Sequence, residues 1–127
     1  MKFAVIGGDM RQVKLSELLA ADGHETATFA LEKIHPADGV TQEPTPKKAV
    51  EGADCVILPL PMQSRDGVLS TPLSVGIHTV REILSALSPE QKILIGRGDE
   101  NSREQIESFG LSYVDYFERE ELQVLNA

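Results

Sequence analysis

The chain has 127 residues, 41% of them hydrophobic and 25% charged, the proportions of one globular domain with an expected radius of gyration of roughly 14 Å. The 20 acidic residues against 12 basic ones give a formal net charge of -8, which opposes the counterion release that drives nucleic-acid binding and excludes nucleic acid as a partner. No apolar run approaches the ~18 residues of a membrane span, and Met1-Lys2-Phe3 leads into a strand pattern, not a secretory leader, so a cytoplasmic chain with no membrane contact is expected.

The first strand is predicted at residues 3–6, and it runs into the glycine corner Val5-Ile6-Gly7-Gly8-Asp9-Met10-Arg11-Gln12. Val13, Leu15, Leu18 and Leu19 then repeat at helical spacing up to a stop at Gly23. A weaker strand pattern covers 25–29. Residues 32–46, with Pro36, Gly39, Pro44 and Pro46, read as a connection, followed by a single helical turn at 47–50. The strand predicted at 53–58 holds the only cysteine, Cys55, which has no internal disulfide partner and acts as a small buried hydrophobe. A second long connection, 59–75, is of a length that is functional or disordered. It is read as functional, because it leaves a strand expected beside the glycine corner. Val80, Ile83, Leu84 and Leu87 give another helix before Pro89, residues 93–95 a strand, 102–109 a helix ended by Gly110, 111–114 a strand and 118–125 a last helix.

Alternating strands and helices imply a parallel sheet, and continuous apolar runs in the strands imply that both its faces are covered. Right-handed crossovers leave few topologies. The expected fold is α/β: a three-layer, doubly wound parallel sheet of flavodoxin-like order 2-1-3-4-5, a single domain over residues 1–127. The first and third strands then sit side by side with connections leaving in opposite directions, and ligands bind at the carboxyl ends of strands at such a switch point.

The corner is not the dinucleotide fingerprint Gly-x-Gly-x-x-Gly, since its two glycines are adjacent and are followed by Asp9 and Arg11. On the expected topology Gly8, Asp9, Arg11 and Gln12, the stretch 64–71, Arg97-Gly98-Asp99 and residues 115–119 share one rim. That rim collects Arg11, Arg65, Arg97 and Arg119, four of the six arginines. Arginine suits bidentate recognition of carboxylate, and helix-start amides add positive charge, so a small anion such as a dicarboxylate fits. The competing reading is that these arginines neutralise Asp9, Asp66, Asp99 and Glu118 at the surface. Asp9 suits an N-cap as well as a ligand contact, and Ser70 and Thr71, just before Pro72, suit a turn as well as hydroxyl donation. His24, His35 and His78 show no metal-ligand spacing, and no serine lies in a Gly-x-Ser-x-Gly elbow. A phosphorylatable receiver domain would need acidic residues ending the first and third strands, where this chain has Gly7-Gly8 and Leu58-Pro59-Leu60-Pro61.

The segments Ala4-Val5-Ile6-Gly7-Gly8-Asp9-Met10-Arg11-Gln12, Val56-Ile57-Leu58-Pro59-Leu60-Pro61, Asp66-Gly67-Val68-Leu69-Ser70-Thr71 and Tyr116-Phe117-Glu118-Arg119, in this order, resemble the N-terminal domain of the dipicolinate synthase A-subunit family. The resemblance extends over essentially the whole chain and is weakest across 26–48. It implies a two-domain protein in which this flavodoxin-like domain precedes a Rossmann domain that binds NADP, an arrangement similar to the 2-hydroxyacid dehydrogenases. It implies further that a flavoprotein-like B-subunit of dipicolinate synthase joins it to make dipicolinate from a cyclic dicarboxylate of the lysine pathway, in sporulating bacteria. No cofactor is then expected within this chain, and the nicotinamide fingerprint is expected after Ala127. The resemblance assigns Gly8, Asp9, Arg11, Gln12, Ser70, Thr71 and Arg119 to substrate binding. Arg11 and Arg119 would clamp carboxylates, Ser70 and Thr71 would donate hydroxyl hydrogen bonds and Gly8 would offer its backbone. No general base is assigned. The alternative class is a non-catalytic association module that docks the B-subunit or a second copy of the chain as a homo-oligomer.

Overall fold

The computed structural model describes residues 1–96 and 100–115; the helix expected at 118–125, together with Arg97-Gly98-Asp99 and Arg119, lies outside the described residues. Strand β1 (Lys2–Ile6) pairs in parallel with β2 (Glu25–Phe29) on one side and β4 (Cys55–Ile57) on the other. Beyond β4 come β7 (Lys92–Ile95) and β8 (Tyr113–Asp115), again parallel. These five strands realise the expected order. A sixth, β3 (Val40–Gln42), lies outside β2 and gives the full order β3-β2-β1-β4-β7-β8.

The addition of β3 corrects the reading of 32–46 as a plain connection. Its three residues, Val40-Thr41-Gln42, form a short edge strand with a neighbour on one side only, so no apolar run marks it. Gln42 Nε2 donates to Leu31 O and Ile34 O at 3.1 and 2.6 Å, which folds the preceding loop back over the sheet end. The second long connection also contains a hairpin, β5 (Gln63–Arg65) with β6 (Val68–Leu69), closed at Asp66-Gly67 where Gly67 takes a φ of 76°.

Helix starts follow capping chemistry. Asp9 Oδ1 accepts from Arg11 N at the start of α1 (Met10–Ala21). Thr45 Oγ1 accepts from Lys48 N at α2 (Pro46–Val50), where proline occupies the first turn, and Thr79 Oγ1 accepts from Glu82 N at α3 (Val80–Leu84). The last described helix is α4 (Glu100–Ser108).

Alternate residues of the central strands enter two separate clusters, as the two-residue period of a strand requires. Ala4, Ile6, Val56, Ile93 and Ile95 pack with Val50 of α2, Ile83 and Leu84 of α3 and Ile106 of α4. Phe3, Val5, Ile57 and Leu94 face Val13, Leu15 and Leu19 of α1. Helices thus cover both faces of a parallel sheet, in three layers. Ile93 is fully buried at the heart of the larger cluster, so Ile93→Ala should cost about 2–5 kcal/mol of unfolding free energy. Urea denaturation measures this, and a cost near zero would show that the face is not closed there.

Candidate functional site

The switch point lies at the carboxyl ends of β1 and β4, and the glycine corner fills it with protein. Gly7 N donates to Phe29 O at 2.8 Å, and Gly8 N donates to Ser70 O at 2.9 Å. Both glycines have positive φ, 57° and 89°. A side chain on Gly7 would lie 2.9 Å from Ser70 O and 3.1 Å from Thr71 Cγ2. One on Gly8 would strike Gln12 Cγ and come within 3.2 Å of Pro59 Cβ. Gly7 therefore admits the backbone of Ser70 to the end of β1, and Gly8 leaves room for Gln12 and Pro59. Both glycine amides are thus engaged within the protein itself.

The polar groups after the glycines are drawn into the same closure. Buried Gln12 donates from Nε2 to Ile6 O at 3.2 Å and to Ile57 O at 3.4 Å, bridging the ends of β1 and β4. Asp9 caps α1 and also pairs with Arg11, whose Nε lies 3.1 Å from Oδ1 and whose terminal nitrogen lies 3.0 Å from Oδ2. The hydrogen bonds and charge of Arg11 hold the Asp9 carboxyl below its usual pKa. Arg11 reaches across to donate to Leu60 O at 2.7 Å, linking the start of α1 to the chain leaving β4. Of the arginines expected on the rim, Arg11 is thus already occupied by Asp9.

Ser70 and Thr71 are placed differently. Their backbones are fixed: Ser70 N donates to Met62 O at 2.9 Å, and Ser74 N donates to Thr71 O at 3.1 Å across a turn containing Pro72. Their hydroxyls make no hydrogen bond with another described residue. The same holds for the Ser64 hydroxyl and the Arg65 guanidinium on β5. These four polar side chains line one cleft of about 460 Å³ between the hairpin and the 71–77 loop, which also presents Val75 and Ile77 to it. A larger groove of about 680 Å³ beside α1 is walled mainly by Phe3, Leu15, Leu18 and Leu94, with Arg11 and Lys14 at its edge. Of the two, the smaller cleft has the chemistry, since it joins several uncommitted donors to a concave surface.

Two further sets of contacts set the shape of this cleft. The hairpin is fastened to α4: Gln63 Nε2 donates to Ser102 Oγ at 3.0 Å, and Asn101 Nδ2 donates to Asp66 Oδ1 at 3.0 Å. The loop is fastened to the chain after β2, where Glu32 Oε2 accepts from Ser74 Oγ at 2.7 Å and from Val75 N at 3.0 Å. Ser74 Oγ lies 3.3 Å from His78 Nε2, His78 Nδ1 lies 3.3 Å from Glu82 Oε2, and the His78 ring stands edge-on to Phe29 at 4.7 Å. Partial burial acts to raise the Glu32 pKa, but the hydrogen bonds from Ser74 and Val75, with its own backbone and His78 nearby, bring it below its ordinary value.

Of the residues expected in the site, Gly8, Asp9, Arg11 and Gln12 gather at the corner, Ser70 and Thr71 line the adjoining cleft and Arg119 lies outside the described residues. Ser64 and Arg65 are not among the expected contacts, although the stretch 64–71 that holds both is expected on the rim. The Asp66-Gly67 turn is the sequence signal that puts both on a strand facing residues 68–69. Nothing in the spacing of Glu32, Ser74 and His78 announces their network beyond the helical offset of His78 from Glu82.

Residues 2–117 match the family of the N-terminal domain of the dipicolinate synthase A-subunit. The chain belongs to that family. Its fold is similar to the A chain of dipicolinate synthase from Bacillus subtilis, with a TM-score of 0.82 and 22% identity over 99% of this chain and 43% of that one. The dipicolinate synthase A-subunit from Bacillus halodurans is similar at a TM-score of 0.81 and 17% identity, over 98% and 43%. The chain therefore spans 43% of the length of each of these solved proteins, and at such identities the likeness is one of fold. No curated protein matches it in sequence. Among the described residues, no helix is long and apolar enough to cross a membrane.

Gly8→Ala should destabilise the domain by about 1–3 kcal/mol through its positive φ and the crowding by Gln12. In a Gln12→Ala background the same change should cost less, because the side chain that blocks the new methyl is gone; a double-mutant cycle by urea denaturation reads the coupling. Equal costs in both backgrounds would place the strain elsewhere. Glu32 with its lowered folded pKa contributes stability that is present above the ordinary glutamate value of about 4.3 and fades as acid carries the pH down through the folded value. Glu32→Gln should therefore lower the urea midpoint at neutral pH, and the gap from the wild type should narrow on acidification. Parallel curves at all pH values would remove the carboxylate from the stability of the loop.

Proposed function

We propose that this domain binds the substrate of dipicolinate synthesis, a cyclic dicarboxylate, at the carboxyl rim of its sheet, as the substrate side of an NADP-dependent oxidation. One observation carries the reading: the Ser70 and Thr71 hydroxyls line a cleft beside the double-glycine corner and have no partner among the described residues, while their backbones are held by Gly8, Met62 and Ser74. Donors on a fixed backbone meet a carboxylate without first having to be ordered, which is how positioning contributes to a reaction. Family membership supports dipicolinate as the product.

The nucleotide belongs to a further domain in this reading, because the amides that would cradle its phosphates are taken by Phe29 O and Ser70 O. The contribution of these residues is to bind and orient the two carboxylates and to present the ring to an oxidant held opposite. The B-subunit of dipicolinate synthase is the partner that the family resemblance implies, and the rim with its adjoining loop is where this domain and the nucleotide domain meet over the substrate.

Titration of pyridine-2,6-dicarboxylate into the ¹⁵N-labelled domain tests this. Amide shifts are expected at Gly7, Gly8, Ser70, Thr71 and their neighbours, with affinity in the millimolar range for a few charge-assisted bonds on a half-open surface (about 4 kcal/mol). Shifts confined to α1 and the groove beside it, or no shifts at all, would count against a substrate role for the rim.

A further inference from the structure

We propose that the cleft between the β5–β6 hairpin and the 71–77 loop is built for a flat ring bearing a carboxylate, with Arg65 as the carboxylate clamp and Val75 and Ile77 as the cover of the ring. This rests on the substrate reading above and names the groups that carry it.

Three observations converge. The first is electrostatic. On a chain with 20 acidic residues and a net charge of -8, a surface arginine has acidic groups to choose from, and Arg11 takes Asp9. Arg65 pairs with none of the described residues. Its neighbour Asp66 accepts from Asn101 instead, which turns that carboxylate towards α4. An arginine with no ion pair among the described residues offers its planar fork to an incoming carboxylate.

The second is the apolar pair. Val75 and Ile77 are 82% and 74% exposed, more so than any other described large hydrophobic residue. They stand on a loop tied at both ends and in the middle: Lys33 N donates to Leu73 O at 3.0 Å, Glu32 Oε2 takes Ser74 Oγ and Val75 N, Gly76 N donates to Ser74 Oγ at 3.2 Å and Leu69 N donates to His78 O at 2.9 Å. Apolar side chains held out by a braced backbone form a preorganised surface for an apolar object.

The third is shape. Arg65, the hydroxyls of Ser64, Ser70 and Thr71, and the two aliphatic side chains all line the same space of about 460 Å³. That volume is ample for one small ring and lies within the usual range of small-ligand sites. One carboxylate on Arg65 leaves the ring against Val75 and Ile77, and a second carboxylate on the ring reaches towards the Ser70 and Thr71 hydroxyls. The site separates ring acids from chain acids, because a linear dicarboxylate gains the polar contacts and little from the aliphatic cover.

Calorimetric titration of the 127-residue chain with pyridine-2,6-dicarboxylate, pyridine-2-carboxylate and linear heptanedioate tests the proposal, with a dispersed amide spectrum as the check on folding. Arg65→Gln should weaken both pyridine acids about tenfold or more, and Arg65→Lys should recover only part of the loss, because an ammonium keeps the charge without the fork. Val75→Ser with Ile77→Ser should weaken the pyridine acids and leave heptanedioate unchanged. If the wild type binds pyridine-2,6-dicarboxylate and Arg65→Gln binds it equally well, the clamp is overturned while the substrate reading stands. If only pyridine-2-carboxylate binds, through Arg65, the cleft stands and the dicarboxylate reading fails. If neither pyridine acid binds, both fall. A change in sedimentation of the Val75→Ser, Ile77→Ser variant with unaltered ligand affinities would make the aliphatic pair a protein contact and overturn its role as ring cover.

Discussion

The hydrogen bond from Gly8 N to Ser70 O joins the end of β1 to the far end of the connection that leaves β4. Everything on the rim is arranged around it. It requires the chain at 69–71 to approach the corner so closely that a side chain on Gly7 or Gly8 would collide with it or with Gln12. Because Ser70 O is held there, the hydroxyls of Ser70 and Thr71 project from a fixed point, and the hairpin that ends at Leu69 and the loop that begins at Thr71 diverge from it. The cleft is the space left by that divergence.

Charge then decides which residues of the rim are available. An acidic surface repels a dianion at long range, and at physiological salt that repulsion is screened beyond about 8 Å. Binding must come from contacts inside that distance. Arg11 is in place but bound to Asp9 and Leu60 O, so recruiting it means breaking its ion pair with Asp9 and a link across the corner. Arg65 carries no such cost. The two arginines therefore divide the work: one closes the scaffold, and the other faces the cleft.

Much of the fold is legible in the residues because the central strands are buried on both faces and so are apolar throughout: Ala4-Val5-Ile6 and Cys55-Val56-Ile57 need no partner to be recognised. The short elements escape for the same reason in reverse. Val40-Thr41-Gln42 has one neighbour and polar content, and Gln63-Ser64-Arg65 pairs with two residues in an isolated ribbon. At the site, Gly-Gly followed by Asp and Arg marks an unusual corner, but a glycine that makes room for a ligand and one that makes room for the chain itself look the same in sequence. The partner in this case, Ser70 O, is 62 residues away from Gly8 in the numbering. The same distance in sequence hides why Gln12 is buried: its acceptors are the carbonyls of two different strands.

The walls of the cleft belong to opposite halves of the sheet. The hairpin wall with Arg65 is held by Ser102 and Asn101 of α4, which follows β7. The loop wall with Val75 and Ile77 is held by Glu32, in the chain that follows β2. The spacing between Arg65 and the aliphatic pair is thus set by two things: how β2 and β7 stand relative to each other across β1 and β4, and the direct tie between hairpin and loop from Leu69 N to His78 O. Those strands are fixed by parallel ladders and by the packing of Ile6, Val56 and Ile93 in one core cluster. A close-packed interior passes small displacements on without absorbing them. A displacement of the central strands is therefore passed to both anchors of the cleft, and the tie from Leu69 N to His78 O limits how far its walls can separate.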